Sequence, residues 1–328
     1  MGIARKRFQW SWPYFAAVWL LAARVALADH PIDVWFDVDT ATGIGDVDDG
    51  LMLIQGFHSP ELHVRGVSVV FGNAPLAKAV PIATMIVERF GPAGLRVLAG
   101  ATGADQFGKT NAAVEGMAAE IAKRPLTIVA VGPVTNVGTL VKLHPELHDQ
   151  IERIVMVAAR RPGQKFVTST LQEAPHRDFN FELDPAAMQA ILDTEIPLVF
   201  APWEVSSQGG ISQADLETLR QTGGSGAWIA ESSQYWINRW EQSIDTRGFN
   251  PFDTLAVGWL THPRSIESED VVVAIEQAPD DRTPPSAEPV QKPYLVARPA
   301  EKSGRKAVYC ARPTPAFKQS LMQRLSGR

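Results

Sequence analysis

Short apolar runs alternate with longer stretches of helical period along most of the chain. The runs Ile32–Val38, 64–70, 95–98, 126–131, 151–157 and 197–201 read as strands, being rich in Val, Ile, Leu and Phe and close to continuously apolar. Between them, Asp48–Phe57, Leu76–Phe90, 112–123, 137–143 and Pro185–Leu192 carry apolar residues at the three-and-four spacing of one helix face. Strands apolar on both sides and separated by helices predict an α/β fold: an open, mostly parallel β-sheet flanked by helices, with a Rossmann-like core. A last strand at 306–310 and a helix at Pro315–Leu325 close the domain, and the Pro- and Asp-rich segment 278–292 reads as a surface insertion. A single helix is expected over 225–240. On it Trp236 and Trp240 share a face, a stripe that reads as core before it reads as a substrate contact, although Tyr235 and Trp236 are placed to cap a base.

In open parallel sheets, ligands bind beyond the carboxyl ends of the strands. Polar or Gly-rich turns stand at four such ends: 37–50, 70–73, 132–136, and a loop at 158–180 holding Gln172, Glu173, His176, Asp178 and Asn180. They are expected to meet on one rim.

Composition narrows the class. The chain is 45% hydrophobic and 20% charged, as in ordinary globular proteins, and its net charge of −5 without a basic tract in the body argues against nucleic-acid binding. The lone Cys310 rules out an internal disulfide and a thiolate-rich zinc site. The N-terminus has the layout of an export signal: basic Arg5-Lys6-Arg7, a mostly apolar stretch from Tyr14 interrupted by Arg24, then Ala26-Leu27-Ala28 before Asp29. Residues 1–28 are therefore read as a signal peptide, with an uncleaved anchor as the alternative. Residues 29–328 are read as one exported α/β domain, periplasmic or secreted, without stable membrane association after cleavage.

The densest chemistry follows the first strand. Asp37, Asp39, Asp46, Asp48 and Asp49 crowd into one Gly-punctuated loop between a buried strand and an apolar helix. Like charges this close resist ionisation unless solvent or a cation compensates them. In this buried context a hard, oxygen-liganded cation, Ca²⁺ or Mg²⁺, is expected. Asp37-Val38-Asp39-Thr40 alone would also suit a phosphatase of the haloacid-dehalogenase type, but the second acidic pair, Asp48-Asp49, comes too early for that. An EF-hand loop fits less well, because the ligand ladder breaks at Ala41 and Gly43 falls one place late.

The ordered set resembles the inosine/uridine-preferring nucleoside hydrolases. The family's Asp-x-Asp and Asp-Asp appear as Asp37-Val38-Asp39 and Asp48-Asp49, its Gly-Asn as Gly72-Asn73, and its Gly-Pro-Leu-Thr-Asn as Gly132-Pro133-Val134-Thr135-Asn136. Further on, His144-Pro145-Glu146-Leu147, Asp178-Phe179-Asn180 with Asp184-Pro185-Ala186-Ala187, and Phe252-Asp253-Thr254-Leu255-Ala256 match later family motifs in order. The resemblance implies a Ca²⁺ held by Asp39, Asp49, Asp253 and the Thr135 carbonyl. Asp39 would also accept a proton from a metal-bound water. It implies that Asp48 and Asn180 grip the ribose hydroxyls, that Asp178 takes the 5′ hydroxyl and that Asn73 orients water or sugar. The chemistry is consistent: N-riboside cleavage passes through an oxocarbenium-like sugar, favoured by an anionic pocket and an activated water.

Three departures from the family pattern stand out. The acidic loop is long, with 40–47 between the Asp pairs, and Asp46 there reads as a helix cap before an extra ligand. Asp178 replaces a glutamate. Phe252 stands where many members carry the histidine that protonates the leaving base, so it is expected to stack on the base or pack the pocket, and His176 becomes the nearest candidate donor. The expected protein is a Ca²⁺-dependent hydrolase of a small-molecule nucleoside or related N-riboside. The alternative is a degenerate, non-catalytic ribose- or nucleoside-binding homologue. Family members are commonly oligomers, and no residue here indicates an interface.

Overall fold

The computed structural model describes residues 30–284, 286–300 and 303–327. The signal-peptide reading of 1–28 lies outside the described residues. Among those described, no helix is long and apolar enough to cross a membrane.

Among the described residues, eleven strands form: β1 (Ile32–Val38), β2 (Leu62–Val69), β3 (Val97–Ala99), β4 (Leu126–Ala130), β5 (Ile151–Met156), β6 (Leu198–Phe200), β7 (Ile211–Ser212), β8 (Gly248–Phe249), β9 (Ile266–Pro279), β10 (Gln291–Pro299) and β11 (Arg305–Pro313). Nine of them make one sheet in the order β10-β9-β11-β6-β5-β4-β1-β2-β3, and β7 pairs with β8 apart from it. Strands β1 to β6 run parallel in the order 3-2-1-4-5-6 of a doubly wound sheet, and β11 joins β6 in parallel. The direction of winding reverses between β1 and β4, which opens a crevice at their carboxyl ends.

Alternation along each strand divides the core. From β1, Val34, Phe36 and Val38 enter one apolar layer, together with the helices Asp48–Phe57, Leu76–Phe90, Gly224–Ser232, Thr254–Thr261 and Pro315–Leu325. Trp35 enters the opposite layer with Ile128 and Ala130 of β4 and the helices Ala112–Ile121, Thr135–Leu143 and Pro185–Leu192. Both faces are covered, as near-continuous apolar strands require.

Two local expectations change. The stretch 225–240 is interrupted at Ser233 and becomes two helices, Gly224–Ser232 and Gln234–Ile244. The segment 278–292 is the end of an antiparallel hairpin: Ala278 pairs with Lys292 and Pro279 with Gln291 as β9 runs into β10. The described residues of its tip are mostly exposed, and one of them, Arg282, reaches the rim where the polar turns meet.

Candidate active site

The loop after β1, the Gly72-Asn73 turn after β2, the Gly132–Asn136 turn after β4 and the loop after β5 converge at the switch point around a cavity of about 330 Å³. Its polar end is formed by Asp46, Asp48, Asn73, Asp178, Asn180 and Asp253. Asp39, Asp49 and Thr135 sit behind this lining and are fully buried.

Close approach of the strand ends makes room for Asp39. A Cβ on Gly72 would lie 1.9 Å from Asp39 Oδ2, and one on Gly132 would lie 2.9 Å from Asp39 Cβ. The Asp39 carboxylate accepts the Asn73 backbone N–H at 2.7 Å, and the Asp39 N–H donates to Asp49 Oδ1 at 2.9 Å. Below them, Asp37 accepts from Ser68 and, at 2.9 Å, from Asn136 Nδ2, while the Asn136 amide oxygen accepts the Ala101 N–H at 2.9 Å. Asp37 and Asn136 are thus parts of the framework rather than the cavity wall. Thr135 opens the helix Thr135–Leu143 and donates its hydroxyl to Asp184, fixing the turn whose carbonyl the resemblance assigns to the metal.

Asp48, Asp49 and Asp253 each present a carboxylate oxygen within 4.8 Å of the others. Asp49 Oδ2 and Asp253 Oδ2 are buried without a hydrogen-bond partner. Burial and mutual repulsion hold the Asp39, Asp48 and Asp253 carboxyls well above the usual carboxylate range, and burial raises Asp49 to about 7. Orphaned, closely spaced carboxylate oxygens fit a hard divalent cation, which would satisfy them and reverse these shifts. Asp46 stands one residue before the cap position of Asp48–Phe57, which Val47 occupies without a side-chain cap. Its carboxylate accepts the Val47 N–H at 2.8 Å and lines the cavity, so Asp46 is not the helix cap that was expected.

On the other side, Asn180 spends both amide hydrogens on the carbonyls of Val131 (2.6 Å) and Val157 (3.0 Å), which leaves its oxygen as an acceptor. Asp178 accepts the Ala159 N–H at 2.9 Å. Ala159 has φ +75°, a conformation costly for a residue with a Cβ, and it turns that N–H onto the carboxylate. Burial lifts Asp178 to about 7, partly offset by the nearby Arg160 charge.

The apolar end is a wall of rings: Phe166, His176, Trp203, Trp236, Trp240 and Phe252. Phe252 therefore lines the cavity, 6.4 Å from Trp203 and 6.2 Å from Trp240, ring centre to ring centre. His176 lies nearly parallel to Trp240 at 6.2 Å, and its Nε2 is buried without a partner. Burial and the positive charge of Arg282 pull its pKa down. Trp236 and Trp240 both face the cavity, and Trp240 also packs into the core, whereas Tyr235 is exposed and does not line it. Sequence reasoning missed Phe166, Trp203 and Arg282. Trp203 carried a usable signal, since it follows the sixth strand at its carboxyl end. Arg282 carried none, since its hairpin read as surface.

The model of the family described as inosine-uridine preferring nucleoside hydrolase matches residues 34–287. The pyrimidine-specific ribonucleoside hydrolase RihA of Citrobacter koseri is 27% identical over 274 residues, 75% of this chain and 84% of that protein. RihA of Klebsiella pneumoniae is 28% identical over 258 residues, 70% and 81% of the two chains. Among solved structures, a plant nucleoside hydrolase superposes with a TM-score of 0.75 at 17% identity, over 91% of this chain and 100% of that one. A purine-preferring ribonucleoside hydrolase from Gardnerella vaginalis gives 0.74 at 19%, over 90% and 98%. These likenesses agree with the mostly parallel sheet and its covering helices, and the chain belongs to the inosine-uridine preferring nucleoside hydrolase family.

Proposed function

We propose that the protein hydrolyses the N-glycosidic bond of a ribonucleoside or related N-riboside, with Ca²⁺ held by Asp39, Asp49, Asp253 and the Thr135 carbonyl, beside Asp48. The observation that carries this is the convergence of buried carboxylates with orphaned oxygens, sugar-sized polar groups and an aromatic wall in one cavity at the switch point. Its family membership makes the reaction class the first expectation.

A bound Ca²⁺ would lower the pKa of a water and accept ribose hydroxyls in its flexible shell. The remaining work falls to the chain. Asp39, whose carboxylate accepts the Asn73 N–H, would accept a proton from the attacking water. Asp48 and the free oxygen of Asn180 would accept from the vicinal hydroxyls, and Asp178 would bind the 5′ oxygen. The surrounding carboxylates favour positive charge growing on the sugar. The rings would stack on the leaving group and keep bulk water from it.

The test is cleavage of nitrophenyl riboside, inosine and uridine with and without chelator, uridine being suggested by the pyrimidine specificity named for RihA. Chelator-sensitive release of nitrophenol, lowered by about 10²- to 10⁴-fold in Asp39→Asn, is the expected outcome. Phe252 in the cavity favours one other reading, a binding protein without turnover. Calcium-dependent binding of ribose with no cleavage of any riboside would establish that reading instead.

A further inference from the structure

At position 252 the aromatic end of the cavity offers no acid. Phe166 and Trp203 stack at 5.1 Å with their planes 12° apart, Trp203 lies 6.4 Å from Phe252, and Trp240 joins Phe252 at 6.2 Å and Trp236 at 6.1 Å. Phe252 has no proton to give. His176 is the ring here able to carry a charge, and burial and the positive charge of Arg282 lower its pKa, which disfavours the protonated form. A neutral base leaving ribose has to be protonated or depart as an anion, and Phe252 assists neither.

A base that already carries a fixed positive charge needs no such help. When the C1′–N bond breaks, its electron pair returns to the ring nitrogen, cancels the charge and releases a neutral heterocycle. The faces of Trp, then Tyr and Phe, attract such a cation. The carboxyl groups of Asp46, Asp48, Asp178 and Asp253 line the same cavity. Two cations also line the cavity, and both are exposed: Arg177 is paired with Glu182 at 3.0 Å, and Arg282 is tied to the Pro175 carbonyl at 2.9 Å. Their exposure weakens their field at the ring wall, although that of Arg282 still reaches His176.

We propose that the preferred substrates are ribosides of a quaternised heteroaromatic base, an N-ribosyl pyridinium or an N7-alkylated purine, held by the Phe166, Trp203, Trp236, Trp240 and Phe252 rings. This rests on the hydrolase reading above. In the step, the oxygen of water bonds to C1′, the C1′–N bond breaks toward the base, and Asp39 takes the proton of the water. No proton goes to the base, and nothing is oxidised or reduced.

The experiment compares kcat/KM of the full chain with Ca²⁺ at pH 6 on nicotinamide riboside, 7-methylguanosine, guanosine, inosine, uridine and nitrophenyl riboside. The expected result is at least a 100-fold preference for nicotinamide riboside over inosine and uridine, and for 7-methylguanosine over guanosine. Trp203→Leu should lower the ratio of nicotinamide riboside to nitrophenyl riboside by roughly 3- to 30-fold, and Trp203→Phe by less. Equal rates for 7-methylguanosine and guanosine, or an unchanged ratio in a folded Trp203→Leu protein, would overturn the proposal. Cleavage of nitrophenyl riboside but not of nicotinamide riboside would overturn it while leaving the hydrolase reading intact. Failure on every riboside would remove both.

Discussion

At the scale of single residues, the candidate site depends on absent side chains as much as on those present. Gly72 carries no catalytic group, yet a Cβ there would fall 1.9 Å from Asp39 Oδ2, closer than any real contact. Gly72→Ala should therefore displace Asp39 without touching the rest of the lining. A shift of about 1 Å in a catalytic group costs on the order of 100-fold in rate. A fall in kcat of that size on nitrophenyl riboside, with circular dichroism showing a folded protein, is the expected outcome. An unchanged kcat would mean that the placement of Asp39 does not matter for the reaction. The motif Gly72-Asn73 was visible in the sequence, and so was its position after a strand. What the glycine makes room for was not, because Asp39 arrives from a loop more than thirty residues earlier.

At the scale of elements, legibility followed burial. β4 and the second halves of β1, β2 and β5 are buried on both faces, so they are mostly apolar there and mark the strands plainly. The β9–β10 hairpin lies at the sheet edge, half exposed, with Glu267, Glu269 and Asp270 at its start and Pro293 inside its second strand, so no single period stands out. Yet this hairpin fastens the loop that holds Asp178. Arg160, 2% exposed, lies between the rings of Phe166 (4.1 Å) and Tyr294 (4.9 Å) and bonds Asp281 at 2.9 Å. Lys292 bridges Glu182 at 3.0 Å and Asp281 at 3.1 Å. The aromatic wall was legible only in part: Phe252 was expected in the pocket, whereas Phe166 and Trp203, which opens the short helix Trp203–Ser206, join it only once the sheet has formed. Removing one member of a buried ion pair costs about 3–5 kcal/mol, because its partners stay buried. Arg160→Met should fall at the lower end of that range in urea unfolding, since Lys292 still neutralises Glu182 and Asp281. A loss below about 1 kcal/mol would show that the hairpin is not held through Arg160.

For the whole molecule, the fold concentrates carboxylates where a doubly wound sheet already has its crevice, and stability must then depend on pH and on any cation bound there. Unfolded Asp carboxyls titrate near 3.9. In the fold, burial raises Asp37 and Asp46 to about 6 and Asp49 and Asp178 to about 7, with Asp39, Asp48 and Asp253 also well above the ordinary range. A raised folded pKa means that the native state binds more protons than the unfolded chain between the two values. The stability these groups contribute is complete below about pH 4 and is lost as pH rises through 6 and 7. The chelated protein should thus melt at a lower temperature at pH 8 than at pH 5.5. A cation that binds the ionised cluster acts in the opposite sense, adding about 2.7 kcal/mol at a hundred times its Kd, and adding more as the carboxyls deprotonate. Millimolar Ca²⁺ should therefore raise Tm little at pH 5 and strongly at pH 8, and Mg²⁺ should raise it less, because its octahedral shell suits a flexible carboxylate cluster poorly. Tm curves against pH that coincide with and without Ca²⁺ would remove the cation from the cluster, and equal shifts from both ions would remove the preference for Ca²⁺.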